Sequence, residues 1–407
     1  MRTVSGRLAQ VGTAGALALA GVVAGALMVA LVSASASPVA RTAALAATPT
    51  WHIQAPPAPA GTTDQVFGAV SCSSSSACLA IAIADYPRNF GFGTFAETWN
   101  GSRWTVRAVP NGKGDAYLYG VQCPSARWCV AVGTITTVPP NGNDYAPVAD
   151  RWNGSSWTQV NPPVPVGATT SDLAAVACSG TAACTAVGSS AMGTGTPRLL
   201  AERWNGSAWS IQPVPMPAGG GGLLSAVACP TAGACRAVGS DGKGLFSEIW
   251  NGSSWVTRPV HVPAGGSFAA LNGISCTAAD SCEAVGSYEI SGTFRPLAER
   301  WNGSRWLLQA LPAISGGGST QLDTVSCVFA TDCEAAGYAQ TTAGTQVGVL
   351  EKWNGTAWSV QEKVLPAGDT RARLGGISCT TGPVCEAVGF HEKVIAKSRL
   401  LALRYSS

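Results

Sequence analysis

With 407 residues, 12% of them charged and a formal net charge of +3, the chain has neither the composition of a disordered protein nor that of a charged helical surface. Its 49 glycines and 46% apolar residues suit packed sheets joined by small-residue turns. Loss of Arg2 and Arg7 with an export signal would leave +1, and no basic stripe is visible, so nucleic acid is excluded as a partner.

The chain opens on Arg2 and Arg7, an apolar stretch from about Val11 to Val32, and then Ala34 and Ala36 in an A-x-A arrangement. These are the three parts of a signal peptide. Cleavage is expected after Ala36, with Ala46 as a second candidate. The rival reading is an uncleaved anchor, because the apolar stretch approaches membrane-spanning length. No cysteine precedes Cys72, which excludes a lipoprotein anchor at the cleavage site. The expected division is a signal peptide over 1–36, an Ala, Ser and Pro-rich linker over 37–50, and one repeat domain over 51–407.

From there two motifs alternate. The first is a cysteine pair with five residues between, set in V-S-C-x5-C-x-A-V-G: Cys72/Cys78, Cys123/Cys129, Cys178/Cys184, Cys229/Cys235, Cys276/Cys282, Cys327/Cys333 and Cys379/Cys385. The second is W-N-G-[ST]-x-W, starting at Trp99, Trp152, Trp204, Trp250, Trp301 and Trp353. Successive copies lie 46 to 55 residues apart, the length of one four-stranded propeller blade. Strand A ends at the first cysteine, strand B begins at the second, strand C ends at the first tryptophan and strand D starts at the second. Small residues in strand A fit an inner strand crowded at a central axis. Asn-Gly between the tryptophans predicts a tight C–D hairpin in which both residues take positive φ. The Pro and Gly-rich stretches after strand D predict the crossovers between blades.

The chain ends settle the expected count. Trp51-His-Ile-Gln looks like a strand D without its strand C, and Leu400 to Tyr405 like a strand C without its strand D. Six complete units and two complementary halves predict an all-β, seven-bladed β-propeller with four antiparallel strands per blade. Its last blade is closed by the N-terminal strand, which leaves no open edge. An open solenoid gives no reason for complementary halves.

The spacing of the cysteines predicts seven local disulfides in an exported protein. Three histidines, His52, His261 and His391, and no C-x-x-C pair argue against metal and redox roles. No cofactor and no metal site are expected. Thirteen of the fourteen tryptophans belong to the C–D motif, Trp128 being the exception, and are expected to pack between blades rather than to stack on sugars. The acid two residues before the first tryptophan (Glu97, Asp150, Glu202, Glu248, Glu299, Glu351) shares its face, and a scaffold hydrogen bond is expected there. The six Asn-Gly-Ser/Thr triplets match the glycosylation sequon, but the turn accounts for them.

This V-S-C, C-x-A-V-G and W-N-G-x-x-W pattern resembles that of secreted repeat propellers from high-GC Gram-positive bacteria, over residues 51 to 405. The N-G-x-x-W hairpin is also similar to the Asp-box, S-x-D-x-G-x-x-W, of sialidase-like propellers and related lectins. Here Asn stands where that box has Asp, and the spacer is missing. The resemblance implies a propeller and is weak for function.

One face, made of the A–B and C–D turns, is uniform; the other, made of the B–C and D–A loops, differs from blade to blade. Variable loops on a rigid scaffold are where binding residues are expected. The B–C loop of the first blade carries Tyr86, Arg88, Phe90, Phe92 and Phe95, that of the second Asp144 and Tyr145, and that of the last Phe390, His391, Glu392 and Lys393. Tyr86, Arg88, Phe90, Phe92, Asp144, Tyr145 and His391 are the candidate ligand-binding set. No nucleophile elbow, zincin helix or phosphate loop occurs, and no catalytic residue is assigned. The expected function is a monomeric, secreted or cell-surface binding protein for an extracellular glycan or protein. A sialidase-like hydrolase with an unrecognised site and a structural envelope protein are the alternatives.

Overall fold

The computed structural model describes residues 49–87, 91–110, 116–137, 144–314, 318–382, 384–393 and 397–406. The expected signal peptide, the linker as far as residue 48, Arg88 and Phe90 lie outside them. Among the described residues no helix is long and apolar enough to cross a membrane.

The tryptophan hairpin forms through its side chains as much as its backbone. Trp99 and Trp104 stand opposite each other with ring centroids 5.6 Å apart, and four residues join them. Gly101 takes φ +96°, but the asparagine does not take positive φ, contrary to expectation. Asn100 acts instead through Oδ1, which accepts from the N–H groups of Ser102 and Arg103 and from the Ser102 hydroxyl at 2.9–3.0 Å. The same side-chain turn recurs at Asn153, Asn205, Asn251, Asn302 and Asn354. Only an acceptor on a short side chain reaches those donors.

At the other hairpin the two cysteines of each pair face each other across strands A and B. Cys72 is bonded to Cys78, Cys123 to Cys129, Cys178 to Cys184 and Cys229 to Cys235. Cys276 is bonded to Cys282, Cys327 to Cys333 and Cys379 to Cys385. Every bridge thus stays within its own repeat, with Cα–Cα distances of 3.9–4.1 Å, and no cysteine is free. The glycine of C-x-A-V-G also has a packing cause. A Cβ on Gly286 would lie 1.9 Å from the carbonyl oxygen of Ala270, where strand A bulges toward strand B.

In the run at 267–308, Ser267–Ala278, Ser281–Ile290, Thr293–Trp301 and Trp306–Leu308 pair in chain order as an antiparallel meander. The same meander recurs at 63–108, 116–159, 170–212, 223–260 and 320–364. The last run, 371–406, supplies three strands and takes its fourth from Thr50–Gln54. That strand pairs antiparallel with Arg399–Ser406, Thr50 opposite Ser406, and Trp51 packs on Tyr405 at 5.3 Å.

The A strands of successive meanders lie side by side. The N–H groups of Cys123, Cys327 and Cys379 donate to the hydroxyls of Ser71, Ser275 and Ser326, each one meander back. Cys72 N–H donates in the same way to Ser378 of the last run. There is no room for larger side chains at some of these contacts. A Cβ on Gly273 would come within 2.8 Å of Thr324 Cα.

Most of the core lies between meanders, around the tryptophans, which are 3–9% exposed in the C–D hairpins. In three hairpins the indole N–H of the second tryptophan reaches back to the preceding meander, whereas those of Trp157, Trp209 and Trp255 find no partner among the described residues. Trp306 donates to Ser247, Trp358 to Gln309 and Trp104 to Gln54. The first tryptophan of five hairpins is covered by a cation from that same side. Arg203 lies over Trp250, Arg300 over Trp353 and Arg404 over Trp99, each cation one residue before its own strand-C aromatic. Where that position is Ile249, Arg236 from directly across the strand pair lies 3.9 Å from the Trp301 ring centroid. Where it is Thr98, Arg107 takes the place over Trp152 and donates to the threonine hydroxyl. The cation keeps its place in space while its strand changes.

The repeated acid lies on the tryptophan face, deeply buried. Glu248 accepts from the Thr257 hydroxyl at 2.6 Å. Both carboxyl oxygens of Glu97, Asp150, Glu202 and Glu351 are buried with no protein hydrogen-bond partner among the described residues. The expected scaffold hydrogen bond is therefore not the rule at this position. Burial pushes Glu97, Glu202 and Glu351 up to about 8 and Asp150, Glu248 and Glu299 to about 7.

Two outcomes are expected. Deleting Thr50–Gln54 should leave the Arg399–Ser406 edge unpaired and cause self-association, read by light scattering; an unchanged monomer with unchanged melting would contradict it. The acids favour their protonated form in the folded state. Their contribution is complete below the ordinary carboxylate range and is lost as pH rises through about 7–8. Calorimetry should therefore give a lower Tm at about pH 9 than at about pH 5, and Glu351→Gln should reduce that difference.

Candidate functional site

Within strand A, two positions break the repeat. The fourth residue before the first cysteine is in turn Gly68, Tyr119, Ala174, Ser225, Asn272, Asp323 and Gly375. The sixth is Val66, Tyr117, Asp172, Leu223, Ala270, Gln321 and Arg373. Residues nearer the cysteine stay small or β-branched, Gln122 excepted. The variable positions lie toward the start of strand A, at the end of the sheets where the D–A and B–C connections are.

They meet around a cavity of about 650 Å³. Tyr119, Asn272, Gln321, Asp323 and Arg373 line it, with Phe390 from the last strand B. They come from four meanders, Gln321 and Asp323 from one A strand and Arg373 and Phe390 from the last run, so the cavity exists only where several meanders come together. A second cavity of about 280 Å³ lies at the cysteine end of the same strands. Its walls are the repeated serines, first cysteines of the pairs and apolar Val, Ala and Ile residues, with Gln122 in place of the serine in one meander.

The second cysteine of each pair faces neither space. Cys184, Cys235, Cys282, Cys333 and Cys385 lie on strand B, 1–5% exposed, and line neither the 650 Å³ nor the 280 Å³ cavity. Cys184, Cys235, Cys282 and Cys333 are packed in the cores around the tryptophans. These five residues are cross-links of the frame and take no part in the candidate binding site.

In the lining of the 650 Å³ cavity, Arg373 Nε and Nη2 donate to the two oxygens of Asp323, both at 2.8 Å. Burial pushes the Asp323 carboxyl above its ordinary range, and the paired guanidinium opposes that shift. The guanidinium also lies 4.9 Å from the Tyr338 ring centroid, and the Tyr338 hydroxyl donates to Gln321 Oε1 at 2.9 Å. Asn272 Nδ2 donates to the Leu322 carbonyl at 3.0 Å, which fixes its amide. Two residues from Arg373, Arg371 donates to Gln346 at 3.1 Å and to Glu392 at 2.5 Å. These planar polar groups are held in place before any ligand arrives.

Tyr119 and Phe390 supply aromatic lining to the same cavity. Tyr119 is 41% exposed. Burial of its hydroxyl end, then the Asp172 carboxylate and Tyr117 and Tyr145 nearby, raise the phenol above its ordinary value. Asp172 is itself raised by burial and accepts from the Ser189 hydroxyl at 2.6 Å.

Of the candidate set, Tyr145 is 38% exposed and does not line the cavity. Tyr86 ends strand Ala77–Tyr86 and packs half-buried on the core between the last and first runs. Phe92 is 47% exposed, near the start of Gly91–Trp99, and does not line the cavity. His391 Nδ1 lies 2.5 Å from Asp369 Oδ2 and ties strand B to the preceding turn, while its neighbour Phe390 faces the cavity. Asp144 begins strand Asp144–Trp152. Arg88 and Phe90 lie outside the described residues.

Tyr119, Asn272, Gln321, Asp323 and Arg373 were not among the candidates, because strand A reads as packing. For Tyr119, Asn272 and Asp323 the available signal was a large or polar residue at a repeat position that elsewhere takes glycine, alanine or serine. Among the described residues no group of three or more His, Cys, Asp or Glu side chains is arranged to hold a metal.

No family model and no curated protein matches the chain. Among solved structures it is similar to YCF48 from Cyanidioschyzon merolae, with 12% identity and a TM-score of 0.51 over 88% of this chain and 98% of that one. It is similar to a polysaccharide lyase, the PL25 ulvan lyase, with 9% identity and a TM-score of 0.52 over 84% and 94%. It is also similar to the endosialidase of phage phi92, with 10% identity and a TM-score of 0.50 over 88% and 69%. At these identities the likeness is one of fold alone, and that fold is the all-β propeller of repeated four-stranded sheets.

Proposed function

We propose that this chain is an exported, monomeric binding protein, a seven-bladed β-propeller that takes an extracellular carbohydrate in its central cavity. Export is supported by the signal-like N-terminus over 1–36 and by seven disulfides, which persist in oxidising compartments. The seven-bladed ring over 51–407 is supported by the contacts between its last and first units. These are Thr50–Gln54 on Arg399–Ser406, Cys72 N–H on Ser378, and Arg404 over Trp99.

The observation that carries the reading is the pairing of aromatic faces with pre-oriented planar polar groups around one cavity. Tyr119 and Phe390 offer apolar surface to a sugar's C–H face, and Asn272, Gln321 and Arg373 offer donors and acceptors to its hydroxyls. We assign the variable-face residues Tyr86, Phe92, Asp144, Tyr145 and His391 to the surround of that mouth; Arg88 and Phe90 belong to the same first B–C loop of the sequence. Binding is favoured over hydrolysis by Asp323, whose two oxygens are occupied by Arg373 rather than directed at a substrate.

A glycan array on the purified protein tests this. Tyr119→Ala and Asn272→Ala should each weaken binding of the best glycan about tenfold while leaving Tm unchanged. Trp157→Ala should do the reverse, costing roughly 3–5 kcal/mol of stability because its ring is buried between meanders. No bound glycan, or full binding by both cavity variants, would overturn the reading.

A further inference from the structure

Two A strands begin with the same bulge, and they fill it differently. Between Thr63 and Val66, and again between Ser267 and Ala270, the strand slips against strand B. In each case the residue eight before the first cysteine takes positive φ: Asp64 at 49° and Phe268 at 45°. Asp64 is suited to that backbone and uses its carboxylate to accept from the Ser398 N–H at 3.1 Å. Phe268 is not suited to it, and the ring gains nothing in return, being 77% exposed. A bulky side chain held in a disfavoured conformation without burial points to a role outside the chain itself.

Phe268 is not isolated. Val166, in the connection before the run at 170–212, is 97% exposed. Met192, in the B–C loop of that run, is 53% exposed, and its sulfur lies beside Gly167. Leu223, at the start of the next run, is 46% exposed. All four stand at the D–A and B–C end of three consecutive meanders. Exposed Arg198, Lys243 and Arg295 lie at the same end of the same three meanders. The nearby acids are used in their own turns: Asp241 accepts from Lys243 and Gly244 N–H, and Glu289 from Gly292 N–H.

We infer that this arc docks on an anionic lipid surface. At 97% and 77% exposure, Val166 and Phe268 stand proud of the protein and do not form a groove for a peptide. Protruding apolar tips between cations suit a bilayer, which receives the tips among its acyl chains and the cations among its headgroups. Docking there would turn the mouth of the central cavity toward the membrane.

The test uses protein recovered from culture medium and vesicles of phosphatidylglycerol mixed with phosphatidylcholine, against phosphatidylcholine alone, read by cosedimentation. The wild type should bind the anionic vesicles at least about tenfold more tightly, and added salt should weaken that binding. Phe268→Asn should lower vesicle binding about tenfold and raise Tm, since Asn suits the backbone that Phe268 is forced to adopt. Replacing Arg198, Lys243 and Arg295 together by Ser should remove the preference for anionic vesicles. Glycan binding should survive in both variants, which keeps this result separate from the fate of the cavity. Equal binding to both vesicle types, or vesicle binding unaffected by Phe268→Asn, would overturn the inference. So would a wild type that ignores vesicles but self-associates through Phe268, because the arc would then be an interface between copies.

Discussion

The tryptophan hairpin is the element on which the rest of the structure depends. Two indoles facing each other across a four-residue turn present more apolar surface than one thin sheet can cover, so each meander needs its neighbour. The neighbour answers with apolar side chains beneath and, in some repeats, with an acceptor for the indole N–H and a cation over the first ring. Trp301 and Trp306, covered by Arg236 and bonded to Ser247, show all three. The cation comes from strand B, C or D as the sequence allows. What is repeated is therefore an environment, which residues in different strands can satisfy.

That interface explains why the centre can vary. The frame is held by the aromatic stacks and Asn turns of the C–D hairpins and by the disulfides at the cysteine end of strands A and B. The inner A strands are pressed together near their cysteines, where Gly273 and its counterparts leave no space, but are released toward their starts. Tyr119, Asn272, Asp323 and Arg373 occupy that released end at no cost to the frame. The bidentate Arg373–Asp323 pair also joins the last two meanders at the cavity wall.

Much of this architecture was legible in the sequence because its signals are local. The C-x5-C spacing gave the A–B hairpin and its disulfide, W-N-G-x-x-W gave the C–D hairpin, and Trp51 and Tyr405 gave the two halves of one sheet. One local detail was misjudged: Asn100 and its equivalents turn the chain with Oδ1 rather than with a left-handed backbone. The scaffold bond expected for the repeated acids also fails in most repeats, because no donor lies within reach of Glu97, Asp150, Glu202 or Glu351.

The cavity was not legible in the same way. Tyr119 and Arg373 are more than 250 residues apart, and no periodicity marks either as facing a common space. His391 and Phe390 are adjacent, yet alternation along the strand sends one to Asp369 and the other to the cavity. The sequence by itself determined the strands, their order, their turns and their cross-links, since each depends on residues within one repeat. Only the tertiary structure decided which side chains share the central space, because that depends on how meanders distant in the chain are brought side by side.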